Sequence, residues 1–447
     1  NVSDLTDMKK IQAFFTALMT GAALTGCSFG ASIDTLMSPP KLSVEEEQIY
    51  SALTNSIGTS ISLKYPKSGK YLSAFIIEDI DGDGDNEALV FYERNNHAAD
   101  ENPLRIKLLE KEGGKWSSVY DTAAEGTEIE KVMISKLGSS DRINIIIGTG
   151  MINRSEKNVS IYNCVDGVLE EPIFSDSYAF FDVKDLDMDG EMEFLRLTGA
   201  SGGTEAAVEA YKLHEDGTYD RAWQPLSGSF TEFDNISYGK VGSVKTGLYI
   251  DAVSGTGSIQ TDVVYMDDGA LHKVFTNSAE SEATNRPAGC TCFDVDGDGS
   301  PEIPVQYLAP GYEDSEEGEK LRLTDWMQVS NDFKLEKNYT SYYSVNDGYI
   351  FLFPDKWENM VTVKRDIVND EIVFCTYGDE GMGRKLLHIF CAEDQPSRED
   401  RISGGYMLMH TKGESAYLAC LSSEPDTGGD GLSITAGDAA VGFRYRD

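Results

Sequence analysis

The chain has 447 residues, 40% of them hydrophobic, and its 76 acidic against 38 basic side chains give a formal net charge of −38. A surface that acidic repels phosphate backbones, which argues against a nucleic-acid partner. The length allows more than one folded unit, and the five histidines (His97, His214, His272, His388 and His410) are scattered without a pair at metal-ligand spacing.

In chain order the first feature is Met8-Lys9-Lys10, then an apolar run from Ile11 to Met19, then Leu24-Thr25-Gly26-Cys27. A basic start, a short apolar core and small residues before a cut mark a secretory signal, because the core is too short to span a membrane. The Leu-Thr-Gly-Cys ending resembles a bacterial lipobox. That resemblance implies a signal peptide over 1–27, with residues 1–7 ahead of the true start, cleavage before Cys27 and a lipid on its thiol. The mature chain is then expected at the extracytoplasmic face of a bacterial cell membrane. Residues 28–58 read as a tether containing Pro39-Pro40, followed by a short helix. Ser43 and Glu46 form a capping box at its start, and Gly58 marks its end.

From 59 to 345 the pattern repeats about every 50 residues, aligned on Ile80, Leu137, Leu186, Val241 and Val295. Tight-turn glycines recur in step at Gly114, Gly167, Gly217 and Gly269, and each unit reads as four alternating strands. A four-stranded unit repeated in this way predicts a β-propeller of five blades, with room for a sixth imperfect one. Segment 60–65 is expected to supply an extra closing strand. Trp116, Trp223 and Trp326 fall near outer strands, where packing between blades is their expected role.

Three of the repeats carry an acidic loop of the form D-x-D-x-D-G-x-x-E, beginning at Asp79, Asp185 and Asp294. Carboxylates at positions 1, 3, 5 and 9 with a backbone carbonyl at 7 can wrap a Ca²⁺ ion, which takes six to eight oxygens. The glycine at position 6 permits the sharp turn. An EF-hand would need Glu at position 12, where Val90, Arg196 and Val305 stand instead. The plain alternative is an acidic hairpin without metal, and three copies in one setting favour the ion. The second and fourth repeats lack the carboxylates, so up to three calcium ions are expected in alternate blades.

These loops resemble those of FG-GAP/VCBS-type repeats, the propeller family that includes integrin α-subunit heads. The resemblance implies ligands Asp79, Asp81, Asp83 and Glu87 with the carbonyl of Asp85. It implies Asp185, Asp187, Asp189 and Glu193 with Glu191, and Asp294, Asp296, Asp298 and Glu302 with Ser300. The mature chain is also similar to a group of uncharacterised lipoproteins of Gram-positive bacteria.

Past Tyr343 the period is lost, and residues 346–447 read as a small antiparallel-sheet α+β domain. Its opening, Phe353-Pro354-Asp355-Lys356-Trp357, is similar to that of PsbP-like domains. Strands are expected at 361–364, 371–377, 385–391, 406–411 and 415–421. Six cysteines remain beyond Cys27, and buried free thiols are their default, a Cys375–Cys391 disulfide being the one pairing left open. Gly199-Ala200-Ser201-Gly202-Gly203 fits a nucleophile elbow, but a strand rather than the required helix is expected after it. No catalytic constellation emerges. The expected function is a calcium-binding module for an envelope protein or glycan ligand, the alternative being a surface polysaccharide hydrolase or lyase that uses the propeller as its platform.

Overall fold

The computed structural model describes residues 42–95, 102–152, 155–165, 167–254 and 257–446. The signal segment, Cys27, most of the tether and His97 therefore lie outside the described residues. Among the described residues, no helix is long and apolar enough to cross a membrane.

The helix Val44–Ile57 begins on both halves of its capping box. The Ser43 hydroxyl accepts the Glu46 N–H at 3.2 Å, and the Glu46 carboxylate accepts the Ser43 N–H at 2.8 Å. Its buried Ile49 and Leu53 lie against Phe75, Val90, Tyr92 and Leu109 of the first sheet.

The rest is mainly β, and among the described residues the strands form six antiparallel sheets, none closed on itself. The first holds β1 (Ile61–Leu63), β2 (Phe75–Glu78), β3 (Glu87–Arg94), β4 (Leu104–Glu112) and β5 (Lys115–Ala123). The second holds β6 (Glu128–Lys136), β7 (Ile143–Gly150), β8 (Lys157–Val165), β9 (Val168–Leu169) and β10 (Phe174–Ser177). The third is a meander of β11 (Phe180–Lys184), β12 (Glu193–Thr198), β13 (Ala207–Leu213) and β14 (Tyr219–Pro225). The fourth runs through β15 (Glu232–Val241), β16 (Lys245–Val253), β17 (Ile259–Asp267) and β18 (Ala270–Lys273). The fifth contains β19 (Ile303–Leu308), β20 (Arg322–Val329), β21 (Leu335–Ser344) and β22 (Tyr349–Leu352). The sixth contains β23 (Val361–Asp366), β24 (Glu371–Gly378), β25 (Gly381–Ala392), β26 (Met407–Lys412) and β27 (Ser415–Leu421). A last strand, β28 (Phe443–Tyr445), returns to pair with β22.

Each sheet packs on the next through the alternation of a central strand. On β3, Leu89 and Phe91 face the second sheet while Val90 and Tyr92 face the helix. On β7, Ile145 and Ile147 face the first sheet and Ile146 the third. On β12, Phe194 faces the second sheet and Leu195 and Leu197 the fourth. A strand covered on both faces explains the unbroken apolar runs after the acidic loops. Each such side chain contributes about 1.5–3 kcal/mol on burial. Polar contacts also join the first strands: the Lys131 ammonium bonds Asp182 at 3.2 Å, and the Tyr238 hydroxyl donates to the same carboxylate at 3.0 Å.

Three expectations are corrected. The 60–65 segment does not bridge to a distant sheet: β1 pairs with one half of β3 (Leu63 opposite Tyr92) and β2 with the other (Phe75 opposite Val90). Pro66 breaks that edge, and the Lys67 and Ser68 amides bond the Ile129 and Glu130 carbonyls of β6 instead. Tyr349–Leu352, read as opening the C-terminal module, is β22, paired with β21 and sharing one core with the sixth sheet. Trp223 is 48% exposed, whereas Trp116 and Trp326 are buried. The cysteines from Cys164 to Cys420 are all free, Cys375 and Cys391 included.

Candidate metal centres

All three acidic loops occupy the same place, at the entry to β3, β12 and β19 of the first, third and fifth sheets. The residue before each loop pairs directly with its position 9: Glu78 opposite Glu87, Lys184 opposite Glu193, and Phe293 bridged to Glu302. Position 2 is a buried apolar anchor in every copy, namely Ile80, Leu186 or Val295. Its backbone N–H donates to the position-9 carboxylate, at 2.9, 2.8 and 2.8 Å respectively. That bond fixes the glutamate against the turn.

The turn is held by its own carboxylates. The position-6 amides of Gly84, Gly190 and Gly299 donate to Asp79, Asp185 and Asp294 at 3.1, 3.0 and 2.8 Å. The position-7 amides of Asp85, Glu191 and Ser300 donate to Asp83, Asp189 and Asp298 at 2.8, 2.9 and 2.7 Å. Positions 4 and 6 both need positive φ. Glycine meets this everywhere except Met188, which is held at φ 66.

This geometry gathers carboxylate oxygens of Asp79, Asp81 and Glu87 within 4.8 Å of one another. It does the same for Asp185, Asp187 and Glu193, and for Asp294, Asp296 and Glu302. Asp83, Asp189 and Asp298, with the position-7 residues, stand outside these three-atom groups. Glu87, Glu193 and Glu302 are only 3, 0 and 0% exposed. Burial, with the neighbouring aspartates, pushes each carboxyl up to about 7 against the pull of its backbone hydrogen bond. In the second loop Glu193 Oε1 is buried with no hydrogen-bond donor. An all-oxygen donor set around a buried carboxylate oxygen that accepts no hydrogen bond fits a hard cation.

The remaining repeats show the same frame without the charge. In the second sheet Asn144 takes the place of the glutamate: its Oδ1 accepts the Leu137 N–H at 3.1 Å and its Nδ2 donates to Asn163 at 2.8 Å. In the fourth, Val241 and Lys245 pair directly, leaving no room for the loop.

Two neighbouring features position the third loop. Asp251 and Arg286, both fully buried, pair at 2.6 Å. The Asp251 carboxylate also accepts the Cys292 N–H at 2.6 Å, two residues before Asp294. Burial drives the Cys292 thiol well above its ordinary range, which leaves it unreactive.

The sequence pattern missed one related turn, Asp426–Leu432. The Asp430 and Gly431 amides donate to Asp426 at 2.9 and 3.1 Å, and the Leu432 amide to Asp430 at 2.8 Å. Its signal is Asp-x-x-x-Asp-Gly, but Gly428 and Ile434 stand at positions 3 and 9.

Away from the loops, a cleft of about 520 Å³ between the fifth and sixth sheets is lined by Asp347, Arg365, Glu371, Glu393 and Tyr417. Glu371 is fully engaged. It accepts from Arg401 at 2.6 Å, the Tyr406 hydroxyl at 2.5 Å and His388 at 2.9 Å, which anchors the helix Gln395–Ser403. The Gly199–Gly203 stretch is a loop between β12 and β13, with Ser201 bridged to Thr204.

No protein-family model matches this chain, and no curated protein matches it in sequence. Solved structures that align with it include one described as a putative 6-phosphogluconolactonase from Bacteroides uniformis, at 11% identity and a TM-score of 0.28, covering 70% of this chain and 93% of that one.

Proposed function

We propose that the chain is a calcium-binding module on a lipid anchor at the outer face of a bacterial cell membrane, which presents a protein- or glycan-binding surface and performs no catalysis. The observation that carries this reading is the threefold recurrence of one carboxylate cage at one place in alternate sheets. Oxygen donors of this kind favour Ca²⁺, and extracellular modules bind it with Kd of about 10⁻⁴–10⁻³ M, matched to millimolar calcium. The lipid anchor rests on Leu24-Thr25-Gly26-Cys27 alone.

The FG-GAP/VCBS-type propeller, with a small α+β domain after it, belongs to the same proposal. Its support is the order of packing, each sheet sharing a core with the next. Calcium bound at the entry to β3, β12 and β19 would lock that end of each sheet, so the ions serve the shape of the ligand-binding face. A polysaccharide hydrolase or lyase is the alternative, and the fully engaged Glu371 does not favour it.

The test is thermal melting with millimolar calcium against excess chelator. Metal that binds only the folded state stabilises it by about 1 kcal/mol per site at a few times Kd. Calcium is expected to raise the midpoint, and Asp81→Ala to shrink that rise. An identical midpoint in calcium and chelator would refute the proposal.

A further inference from the structure

We propose that Lys212 is a built-in competitor for the cation of the second loop, so that the three loops form a graded series rather than an equivalent set. This rests on the reading of the loops as cation sites. The grading is read at one position, the neighbour of the position-9 glutamate on β4, β13 and β20. It lies one step beyond the pairs Ala88–Leu109, Phe194–Tyr211 and Ile303–Met327, and is therefore Glu110, Lys212 and Gln328 in the three loops.

The three residues put different charges on the same spot. The Lys212 ammonium touches Asp189, stands 3.0 Å from Glu191, and is 4.0 Å from both Asp187 and Glu193 Oε1. Carboxylates from positions 3, 5, 7 and 9 thus converge on one amine whose side chain is 20% exposed. The ammonium lies against the position-5 and position-7 carboxylates, at the edge of the Asp185, Asp187 and Glu193 group. Glu110 adds a carboxylate close to Asp81 and Asp83. Gln328 is neutral and donates to Asp298 Oδ2 at 2.8 Å, while the Lys240 ammonium beside this loop bonds the Asp298 backbone carbonyl rather than a carboxylate.

A second turn in the chain uses the same device. In the Asp426–Leu432 loop, Arg384 Nη2 lies 2.6 Å from Asp430 and 3.9 Å from Asp426. A guanidinium there neutralises a turn with too few carboxylates for an ion. The second loop keeps its full set of carboxylates and so stands between the two cases: the ion and the lysine compete for it.

An ion entering the second loop must displace the ammonium and then share the site's edge with it. A unit charge a few ångströms away, near a protein surface, weakens binding by about tenfold or more. The series therefore runs from the first loop, the tightest, through the third to the second.

The test is calorimetric titration of the chelator-stripped chain with calcium chloride. Wild type is expected to show two sites and a third about tenfold weaker or more. Lys212→Met, which removes charge without adding a ligand, and Lys212→Gln, which copies the third loop, are both expected to bring the third site into the range of the others. Glu110→Lys is expected to weaken one of the two tight sites by a similar factor. Three equal sites in wild type, unchanged in both Lys212 variants, overturn the inference and leave the cation reading standing. A third site that stays weak or absent in both variants overturns it as well. No calcium uptake by any chain overturns both.

Discussion

Replacing Glu87 by Gln separates the two roles of the buried position-9 carboxylate. The amide keeps the acceptor for the Ile80 N–H, now 2.9 Å away, and removes the charge. In metal-free protein Glu87 is pushed up to about 7 from an ordinary 4.5, burial being the main cause. The folded state therefore takes up a proton between those values that the unfolded chain does not. Its contribution to stability is fully present below about pH 4.5 and is lost as pH rises through about 7. At 1.36 kcal/mol per unit, the loss approaches about 3 kcal/mol per site above pH 7. Glu87→Gln is expected to recover about 2 kcal/mol of that in chelator at pH 7.5 and almost nothing at pH 4.5, while reducing the stabilisation by calcium. The assay is denaturant melting at both pH values, with chelator and with calcium. The second sheet contains the natural comparison, since Asn144 holds the Leu137 N–H as a neutral amide. Lower stability of Glu87→Gln in chelator at pH 7.5, or an undiminished calcium response, would refute the reasoning.

Three further outcomes are expected. Met188→Gly relieves a side chain held at φ 66 and raises stability by about 0.5–1 kcal/mol, read from the melting midpoint. Asp262 is fully buried, with Oδ1 unpartnered and Oδ2 accepting the Ser227 N–H at 2.5 Å, and burial raises its carboxyl above the ordinary value. Its contribution is present at low pH and lost as pH rises through the raised value, so Asp262→Asn should stabilise the chain by about 1 kcal/mol at pH 7 and flatten the pH dependence of unfolding. Glu371→Ala strips the partner from Arg401, Tyr406 and His388, and should cost about 3 kcal/mol and expose the helix Gln395–Ser403 to limited proteolysis.

Much of this was legible because it is local. Ser43 and Glu46 declare the first helix within four residues, and the acidic loops declare themselves within nine. The apolar runs after the loops signal strands because both faces of β3, β7 and β12 are covered. What stayed hidden depends on distant partners. Tyr349–Leu352 is buried at every residue, so no alternation says which sheet it enters, and its pairing with Phe443–Tyr445 joins residues nearly a hundred positions apart. Lys212 is an ordinary strand residue until the register sets it beside Glu193. The Asp426 turn escaped because Gly428 and Ile434 replace the carboxylates that made the other three visible.

The most direct test of the cation sites is a crystal grown in millimolar calcium, with anomalous scattering used to locate the ions. The account predicts peaks coordinated by Asp79, Asp81 and Glu87 and by Asp294, Asp296 and Glu302, with a weaker peak or none beside Lys212. Absence of density in both the first and third loops would contradict it.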